Sequence, residues 1–370
     1  MIIKKEWDFD TKEPLLGLEF GSLPEWDKKL LFAYSKSGKI LIFNLEGLRL
    51  YDENITQNSP IWCSKFYDID NDGKYELLLG GLDGLLRIFK FNPDLSLRPY
   101  WGHQFGSSIS GLLIDDINND GVVEIIAYSL DKSLRVLNPV DGSLIWGQVF
   151  EEGIGDAMVW RDSNDPNNLE IIACGNDGTI RIFNCNNGEL LWFKRFTDKV
   201  RCVAEISSTN HNYIICGGDD KLIHVIDKKE RKEIKKIAMS EVIWKALSFP
   251  PKRKNFIIIS SYSFDFLSKT IPIEDKDIRS KLICLNENLN VIWEIKNINT
   301  EVLKYIQTPE QNFIGIGTTN GNFLIINEKC GESLAQINNF SSLNDFEFIS
   351  ESSQLILCHE NGSIYSYNIK

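Results

Sequence analysis

The sequence repeats one pattern eight times: an apolar run, a short polar turn that often contains Asp or Asn before Gly, and a second apolar run. The second runs are Lys39–Asn44, Leu85–Lys90, Ser133–Asn138, Thr179–Asn184, Leu222–Asp227, Leu282–Asn286, Phe323–Asn327 and Ser363–Asn368. The steps between successive turns range from 40 to 60 residues, and most lie near 45. A period of this length is typical of a fold that stacks copies of one supersecondary unit.

Each repeat has the pattern of four short strands. In residues 61–105 these are IWCSKFYD, YELLLGG, LLRIFKFN and LRPYWGHQF, all rich in aliphatic and aromatic side chains and bounded by turn residues. The second strand of each repeat is almost wholly apolar, which indicates a strand covered on both faces. Because one sheet cannot cover its own two faces, the sequence predicts sheets stacked radially, in an all-β propeller of eight four-stranded blades.

The two ends of the chain complement each other. The last repeat supplies strands at about 343–349, 354–359 and 363–368 but no fourth strand. The N-terminal strand is therefore predicted to complete the last blade, which closes the ring without an open edge. This makes residues 1–370 one domain. Its blades are predicted at roughly 11–58, 59–106, 107–151, 152–198, 199–239, 240–297, 298–340, and 341–370 with 1–10.

One repeat is longer than the others. Sixty residues separate the turn at Lys221 from the turn at Lys281, and the excess predicts an inserted loop at about 263–279. Irregular loops on a rigid scaffold are common recognition surfaces. Seven blades is the alternative, if residues 242–300 pack as something other than a blade.

Two pairs of motifs resemble known propeller repeats. VDGSLIW (140–146) and NNGELLW (186–192) resemble the quinoprotein-type ending, in which a Trp packs between neighbouring blades. DIDNDGKYE (68–76) and DINNDGVVE (116–124) resemble the calcium loop of FG-GAP (integrin-α-like) repeats. The chain is thus similar to the β-propeller superfamily that includes WD40-like repeats. The resemblance implies a propeller subunit of a cytoplasmic trafficking or GTPase-regulating scaffold.

The two acidic loops are predicted to bind structural Ca²⁺. Oxygen donors at positions 1, 3, 5 and 9, a carbonyl at position 7 and a Gly at position 6 can wrap around one hard cation. The predicted ligands are Asp68, Asp70, Asp72, the Lys74 carbonyl and Glu76, and then Asp116, Asn118, Asp120, the Val122 carbonyl and Glu124. The alternative is a hydrogen-bonded turn without metal. A third loop, residues 162–170, keeps only part of the pattern.

Charge and composition exclude several classes of protein. The net charge of −12 disfavours general nucleic-acid binding. The apolar runs are too short for a membrane span, and the N-terminus lacks the apolar segment of a secretory signal. The eight cysteines include no CxxC pair, as expected for reduced thiols. Together these features predict a cytoplasmic protein.

Positive charge is concentrated in residues 221–254, which hold eleven Lys or Arg and four acidic residues. This basic sector is predicted to lie beside the inserted loop and to dock other proteins, with peripheral contact to anionic membrane head groups as a further use. The alternative is a solvated edge strand protected by lysines. The predicted partner-binding residues are Lys228, Lys229, Arg231, Lys232, Lys252, Arg253, Lys254, Phe264 and Phe266.

No catalytic motif stands out in the sequence. The four histidines lack zinc spacing, and there is no nucleophile elbow or phosphate-binding loop. Trp62, Asp156 and Arg201 are the inner-strand residues that could face a central channel. We therefore expect a non-enzymatic protein-interaction scaffold. A quinoprotein-type enzyme that uses the channel, or a surface carbohydrate or adhesion propeller, are the alternatives.

Overall fold

The computed structural model describes residues 2–23, 28–161, 168–207, 211–250, 254–264, 279–308, 311–338 and 341–369. These residues form 32 β-strands in eight four-stranded antiparallel sheets and contain no helix. The prediction of an all-β fold with eight blades is confirmed, and the alternative of seven blades is wrong.

Strands follow one another in chain order within each blade, from an inner strand to an outer strand. Blade 1 contains β2 (Leu15–Leu23), β3 (Lys28–Ser35), β4 (Lys39–Phe43) and β5 (Arg49–Asn54). Blade 2 contains β6 (Ile61–Tyr67), β7 (Glu76–Gly81), β8 (Leu85–Phe91) and β9 (Leu97–Gln104). Blade 3 contains β10 (Ile109–Asp115), β11 (Glu124–Ser129), β12 (Ser133–Leu137) and β13 (Leu144–Val149). Blade 4 contains β14 (Ile154–Arg161), β15 (Leu169–Gly175), β16 (Thr179–Asn184) and β17 (Leu190–Arg195).

The remaining blades follow the same order, except that the last one takes a strand from the N-terminus. Blade 5 contains β18 (Val200–Ser207), β19 (Asn212–Gly218), β20 (Leu222–Asp227) and β21 (Lys232–Ala238). Blade 6 contains β22 (Val242–Phe249), β23 (Phe256–Tyr262), β24 (Lys281–Asn286) and β25 (Val291–Lys296). Blade 7 contains β26 (Thr300–Gln307), β27 (Asn312–Thr318), β28 (Phe323–Asn327) and β29 (Ser333–Ile337). Blade 8 contains β30 (Leu343–Ile349), β31 (Gln354–His359), β32 (Ser363–Ile369) and β1 (Ile3–Asp10).

The chain divides into two compact units. The first comprises Met1–Ala173, Arg181–Leu191 and Asn344–Lys370, and the second comprises Cys174–Ile180 and Trp192–Leu343. Each unit has its own apolar clusters, built from the second and third strands of adjoining blades. The second strands are the most buried: all six residues of β7 and all six of β11 are buried. Burial on both faces explains their unbroken apolar sequence.

The N-terminal strand completes blade 8, as predicted. β1 pairs antiparallel with β32 from Ile3 opposite Ile369 to Asp10 opposite Ser363. The backbone amide of Thr11 then donates to the carbonyl of Gly362, at 3.0 Å. The outer strand of the last blade therefore comes from the opposite end of the chain, and β32 has no open edge.

Inner strands carry a bulge near their first residue. In blades 1, 2, 3, 5, 6 and 7 the register of the inner strand with the second strand shifts by one residue at this position. The extra residue is left out of the ladder, and a bulge of this kind re-aims the side chain that it carries. The bulged residues are Leu16, Trp62, Ser110, Arg201, Trp244 and Glu301. We call the end of each blade where these residues lie the bulge end.

Tryptophans on outer strands connect neighbouring blades. In four places an indole N–H donates to a backbone carbonyl in the turn before the next blade's outer strand, and the ring packs on a Gly of that turn with positive φ. The pairs are Trp7 with Leu45 O and Gly47, Trp101 with Pro139 O and Gly142, Trp146 with Cys185 O and Gly188, and Trp293 with Glu328 O and Gly331. The sequence predicts such packing for Trp146 and Trp192, and Trp146 shows it, with a buried ring and an indole nitrogen 2.7 Å from the carbonyl oxygen.

These contacts predict an unequal response to two glycine substitutions. A Cβ on Gly188 (φ +71°) would lie 2.5 Å from the Trp146 ring, whereas a Cβ on Gly121 (φ +89°) would have nothing within 4 Å. We expect Gly121→Ala to cost about 1 kcal/mol through the positive φ alone. Gly188→Ala should cost about 2–4 kcal/mol, because overpacking adds to that strain. Thermal melts of both variants test this, and equal shifts in Tm would contradict it.

Candidate functional site

The first acidic loop joins β6 to β7 and is held by its own side chains. Asp68 accepts hydrogen bonds from the backbone amides of Asp72 (3.1 Å) and Gly73 (2.9 Å), and Asp72 accepts one from Lys74 N–H at 2.8 Å. Gly73 has φ +83°, the left-handed conformation that Gly adopts without strain. These bonds wrap the loop tightly enough to bring its acidic side chains together.

Three carboxylates of this loop converge. Oxygens of Asp68, Asp70 and Glu76 all lie within 4.8 Å of one another, and no other such group of His, Cys, Asp or Glu occurs in the described parts of the chain. Glu76 is fully buried, and its Oε2 accepts from the backbone amide of Ile69 at 3.1 Å. Asp70 Oδ1 and Glu76 Oε1 are buried and accept no hydrogen bond. Burial raises the pKa of Glu76 to about 7.

A lysine lies among these carboxylates. The Nζ of Lys90 is 2.6 Å from Asp70 Oδ2, 3.4 Å from Asp72 Oδ2 and 3.4 Å from Glu76 Oε1. Burial alone would lower the pKa of Lys90, but its hydrogen bond to Asp70 and the nearby carboxylate charges outweigh burial and raise that pKa. The first loop thus already contains a positive charge.

The second acidic loop joins β10 to β11 with nearly the same hydrogen bonds. Asp116 accepts from the amides of Asp120 (3.2 Å) and Gly121 (2.9 Å), and Glu124 Oε2 accepts from Ile117 N–H at 3.1 Å. At position 3, however, the Nδ2 of Asn118 donates to Glu124 Oε1 at 2.7 Å. Burial, followed by the charges of neighbouring aspartates, raises the pKa of Glu124.

Calcium therefore fits the two loops differently. In the first loop the oxygens converge, but the Lys90 ammonium lies among them, and two cations in one such space would repel strongly. In the second loop no lysine of the described residues contacts Asp116, Asp120 or Glu124, although the Arg161 guanidinium donates to the Asp116 carbonyl at 2.9 Å. The Asn118 Oδ1 accepts from Asp120 N–H at 2.8 Å, and the amide could turn this oxygen towards a cation. The third loop lies outside the described residues from 162 to 167.

The basic turns of the predicted sector lie at the end of blades 5 and 6 opposite the bulge end, whereas Lys221, in the turn between β19 and β20, lies at the bulge end. Lys228 to Lys232 form the turn between β20 and β21, and Lys254 lies just before β23. Phe264 follows β23 at the bulge end. Because a seven-residue strand spans about 23 Å, Lys254 and Phe264 lie at least that far apart along the blade. The described flanks of the inserted loop, Phe264 and Arg279, therefore lie at the end of blade 6 opposite Lys254, and the predicted position of the loop itself falls on residues outside the described part of the chain. Lys252, Arg253, Phe266 and residues 265–278 of that loop lie outside the described residues.

Part of the positive charge in this sector is used inside the fold. Lys254 forms an ion pair with Glu205, whose side chain is 3% exposed, and Lys228 is buried. Lys235 donates to the carbonyl of Leu289 in the next blade at 2.8 Å. Lys229 and Lys232 remain exposed. The available basic surface is smaller than the sequence suggested.

A cluster of aromatic rings and one arginine lies at the bulge end of blades 5 and 6. Arg201, the bulged residue of β18, is bound through Nε and Nη2 to both carboxylate oxygens of Asp219, the second contact at 2.9 Å. Its guanidinium carbon lies 5.2 Å from the ring centre of Trp244, the bulged residue of β22, and 5.8 Å from that of Phe264. These are cation–π distances.

Tyr262 completes this cluster. Its ring centre lies 5.2 Å from that of Trp244 and 4.8 Å from that of Phe264, and its hydroxyl donates to Glu301 Oε1 at 2.7 Å. Glu301 is the bulged residue of β26. A hydrogen bond also joins the two flanks of the inserted loop, since the backbone amide of Arg279 donates to Ser263 Oγ at 3.2 Å. We call Arg201, Trp244, Tyr262 and Phe264 the Arg201 cluster.

Sequence reasoning found this cluster only in part. The sequence predicts Arg201 as an inner-strand residue that could face the channel and Phe264 as a partner-binding residue of the inserted loop. Trp244 and Tyr262 were missed, because each resembles an ordinary strand aromatic. The feature that Arg201 and Trp244 share is the bulge near the start of their inner strands, and a bulge depends on pairing that a sequence pattern does not display.

Comparisons with known proteins agree with this architecture. The family model of the Lambda-carrageenase beta-propeller domain matches residues 152–258. Among solved structures, Saccharomyces cerevisiae Sqt1 is similar with a TM-score of 0.75 at 11% identity, over 99% of this chain and 99% of that one. The computationally designed Ika8 protein has a TM-score of 0.72 at 14% identity, over 97% and 98%. BamB from Moraxella catarrhalis has a TM-score of 0.65 at 14% identity, over 100% and 98%.

Identities this low show the fold alone. The sheets, the family match and the structural likenesses together define the chain as an eight-bladed β-propeller protein. No curated protein sequence matches it significantly. Within the described parts of the chain, no helix has the length and apolar character needed to cross a bilayer.

The ion pair between Lys254 and Glu205 predicts that one basic residue serves stability. Lys254→Met would leave the buried Glu205 carboxylate without its counter-charge, and we expect a loss of about 1–3 kcal/mol in the free energy of unfolding. Lys229→Met, at an exposed lysine of the same end, should change it by less than about 0.5 kcal/mol. Chemical denaturation of both variants measures the difference. If Lys254→Met left the free energy of unfolding unchanged, Lys254 would not have the stabilising role that we assign to it.

Proposed function

We propose that this propeller is a non-enzymatic binding module for other proteins and that the Arg201 cluster is part of its recognition surface. The observation that carries this proposal is the guanidinium of Arg201, held by Asp219 and covered by two aromatic rings. Arginine and aromatic residues in such restrained settings supply most of the binding energy at protein interfaces. Little side-chain entropy is lost when a partner meets groups that are already ordered.

The position of the cluster supports the same proposal. Phe264 and Arg279 bound the part of the inserted loop that lies outside the described residues, so this loop leaves and re-enters the fold beside the cluster. The partner's contact surface would then combine a rigid arginine–aromatic base with a long loop. Binding residues are frequently carried on loops of a rigid scaffold in this way.

A cytoplasmic trafficking or GTPase-regulating complex is the setting that we propose, on the basis of the repeat resemblance. None of the eight cysteines forms a disulfide in the structure, and most are buried, which suits a reducing compartment. The net charge of −12 argues against nucleic acid as the partner. Peripheral contact with anionic membranes would use exposed lysines such as Lys229, Lys232 and Lys236.

The binding proposal predicts a local loss of affinity without loss of fold. We expect Arg201→Ala and Trp244→Ala to weaken partner recovery in quantitative affinity purification at least tenfold, as removal of an interface hot spot does. Ile234→Ala is the matched control, since Ile234 is 48% exposed on an outer strand of blade 5. Thermal melts should show all three folded. Partners recovered equally with folded Arg201→Ala and wild type would overturn the proposal.

We also propose structural Ca²⁺ in the second acidic loop, held by Asp116, Asn118, Asp120, the Val122 carbonyl and Glu124. When bound, the ion would neutralise the loop's acidic side chains and fix the turn between β10 and β11.

This second proposal predicts calcium-dependent stability. Added Ca²⁺ should raise the Tm of the wild-type protein and chelator should lower it, because the ion binds the folded loop in preference to the unfolded chain. Asp120→Asn should abolish most of that difference, while Asp8→Asn, at an exposed acid on β1, should not. A wild-type Tm that is the same in Ca²⁺ and in chelator would exclude the site.

A further inference from the structure

The first acidic loop differs from the second in its source of positive charge. β8 runs to Phe91, seven residues, whereas β12 in the next blade stops at Leu137 after five. Phe89 pairs with Leu77 just as Leu137 pairs with Ile125, so Lys90 occupies the first residue of the extension. The extra strand length carries the lysine side chain to the loop between β6 and β7. Blade 3 has no residue that does this, because Asn138 already forms the following turn.

Lys90 is held in place from several sides. Its Nζ contacts carboxylate oxygens of Asp70, Asp72 and Glu76 and lies 4.4 Å from the ring centre of Tyr100. The Tyr100 hydroxyl is also 3.4 Å from Asp70 Oδ2. The lysine side chain is 16% exposed and the Glu76 side chain is fully buried. The ammonium therefore lies inside the loop and not on its surface.

The same groups would have to bind a metal. Calcium requires six to eight oxygens at about 2.3–2.6 Å, and Asp70 and Glu76 are the central donors that the first loop offers. Both already face Lys90, and a carboxylate without a counter-charge at the position of Glu76 would be costly. An ammonium and a divalent ion cannot occupy this space together.

We propose that the Lys90 ammonium is the resident cation of the first acidic loop and holds it folded in place of Ca²⁺. The loop keeps the residue pattern of a calcium site, but its charge is balanced by the protein itself. It would then keep its form at Ca²⁺ concentrations too low to fill an oxygen site. Of the two predicted metal loops, only the second would respond to calcium.

The test counts calcium ions in two backgrounds by calorimetry with Ca²⁺ alone. Lys90→Met keeps the length of the side chain and removes the charge, and this variant should bind one more Ca²⁺ per chain than wild type. The double variant Lys90→Met with Asp70→Asn should bind the same number of Ca²⁺ as wild type. In chelator, Lys90→Met should melt at a lower temperature than wild type, and Ca²⁺ should restore most of the loss.

A second comparison does not depend on the folding of Lys90→Met. In the wild-type background, Asp70→Asn should leave the number of bound Ca²⁺ unchanged, because the first loop binds none. A lower number would show that this loop binds calcium despite Lys90 and would overturn the proposal. So would a folded Lys90→Met variant with no additional ion. Either result leaves the protein-binding proposal for the Arg201 cluster untouched.

Discussion

The architecture depends on how each blade covers its neighbour. A four-stranded sheet with two apolar faces is unstable alone, and here the outer strand of one blade donates an indole N–H into a turn of the next while the ring packs on that turn's glycine. Only glycine suits this position, because a Cβ would collide with the ring and because the turn requires a positive φ. One pair, Trp7 and Gly47, uses a tryptophan from the N-terminal strand, so the completion of blade 8 and its packing on blade 1 rest on the same contact.

The two acidic loops show how one backbone can satisfy its charges in different ways. In both loops backbone amides donate hydrogen bonds to the aspartate at position 1, which is Asp68 in one loop and Asp116 in the other. They differ at position 3, where Asp70 bonds to a lysine and Asn118 bonds to the glutamate at position 9. Their similarity in sequence thus reflects the shape of the turn, while the positive charge beside Asp70 and Glu76 comes from Lys90, further along the chain.

Sequence periodicity predicted the class of fold, the number of blades and the N-terminal strand, because each depends on local patterns repeated many times. It did not predict contacts set by pairing between distant strands. Lys90 lies near the end of an ordinary apolar strand, and only the two-residue extension of β8 brings it to Asp70. The basic turns were expected beside the inserted loop because they are close in sequence, yet β23 separates Lys254 from Phe264 by its whole length.

The bulges give this scaffold positions that can change without disturbing the sheets. A residue that is omitted from the ladder can be replaced without breaking a strand pair, so its identity is under little structural constraint. The described examples already range from leucine and serine to tryptophan, arginine and glutamate, at equivalent points of different blades. The surface at the bulge end of such a chain can diverge one blade at a time, while the sheets that support it stay the same.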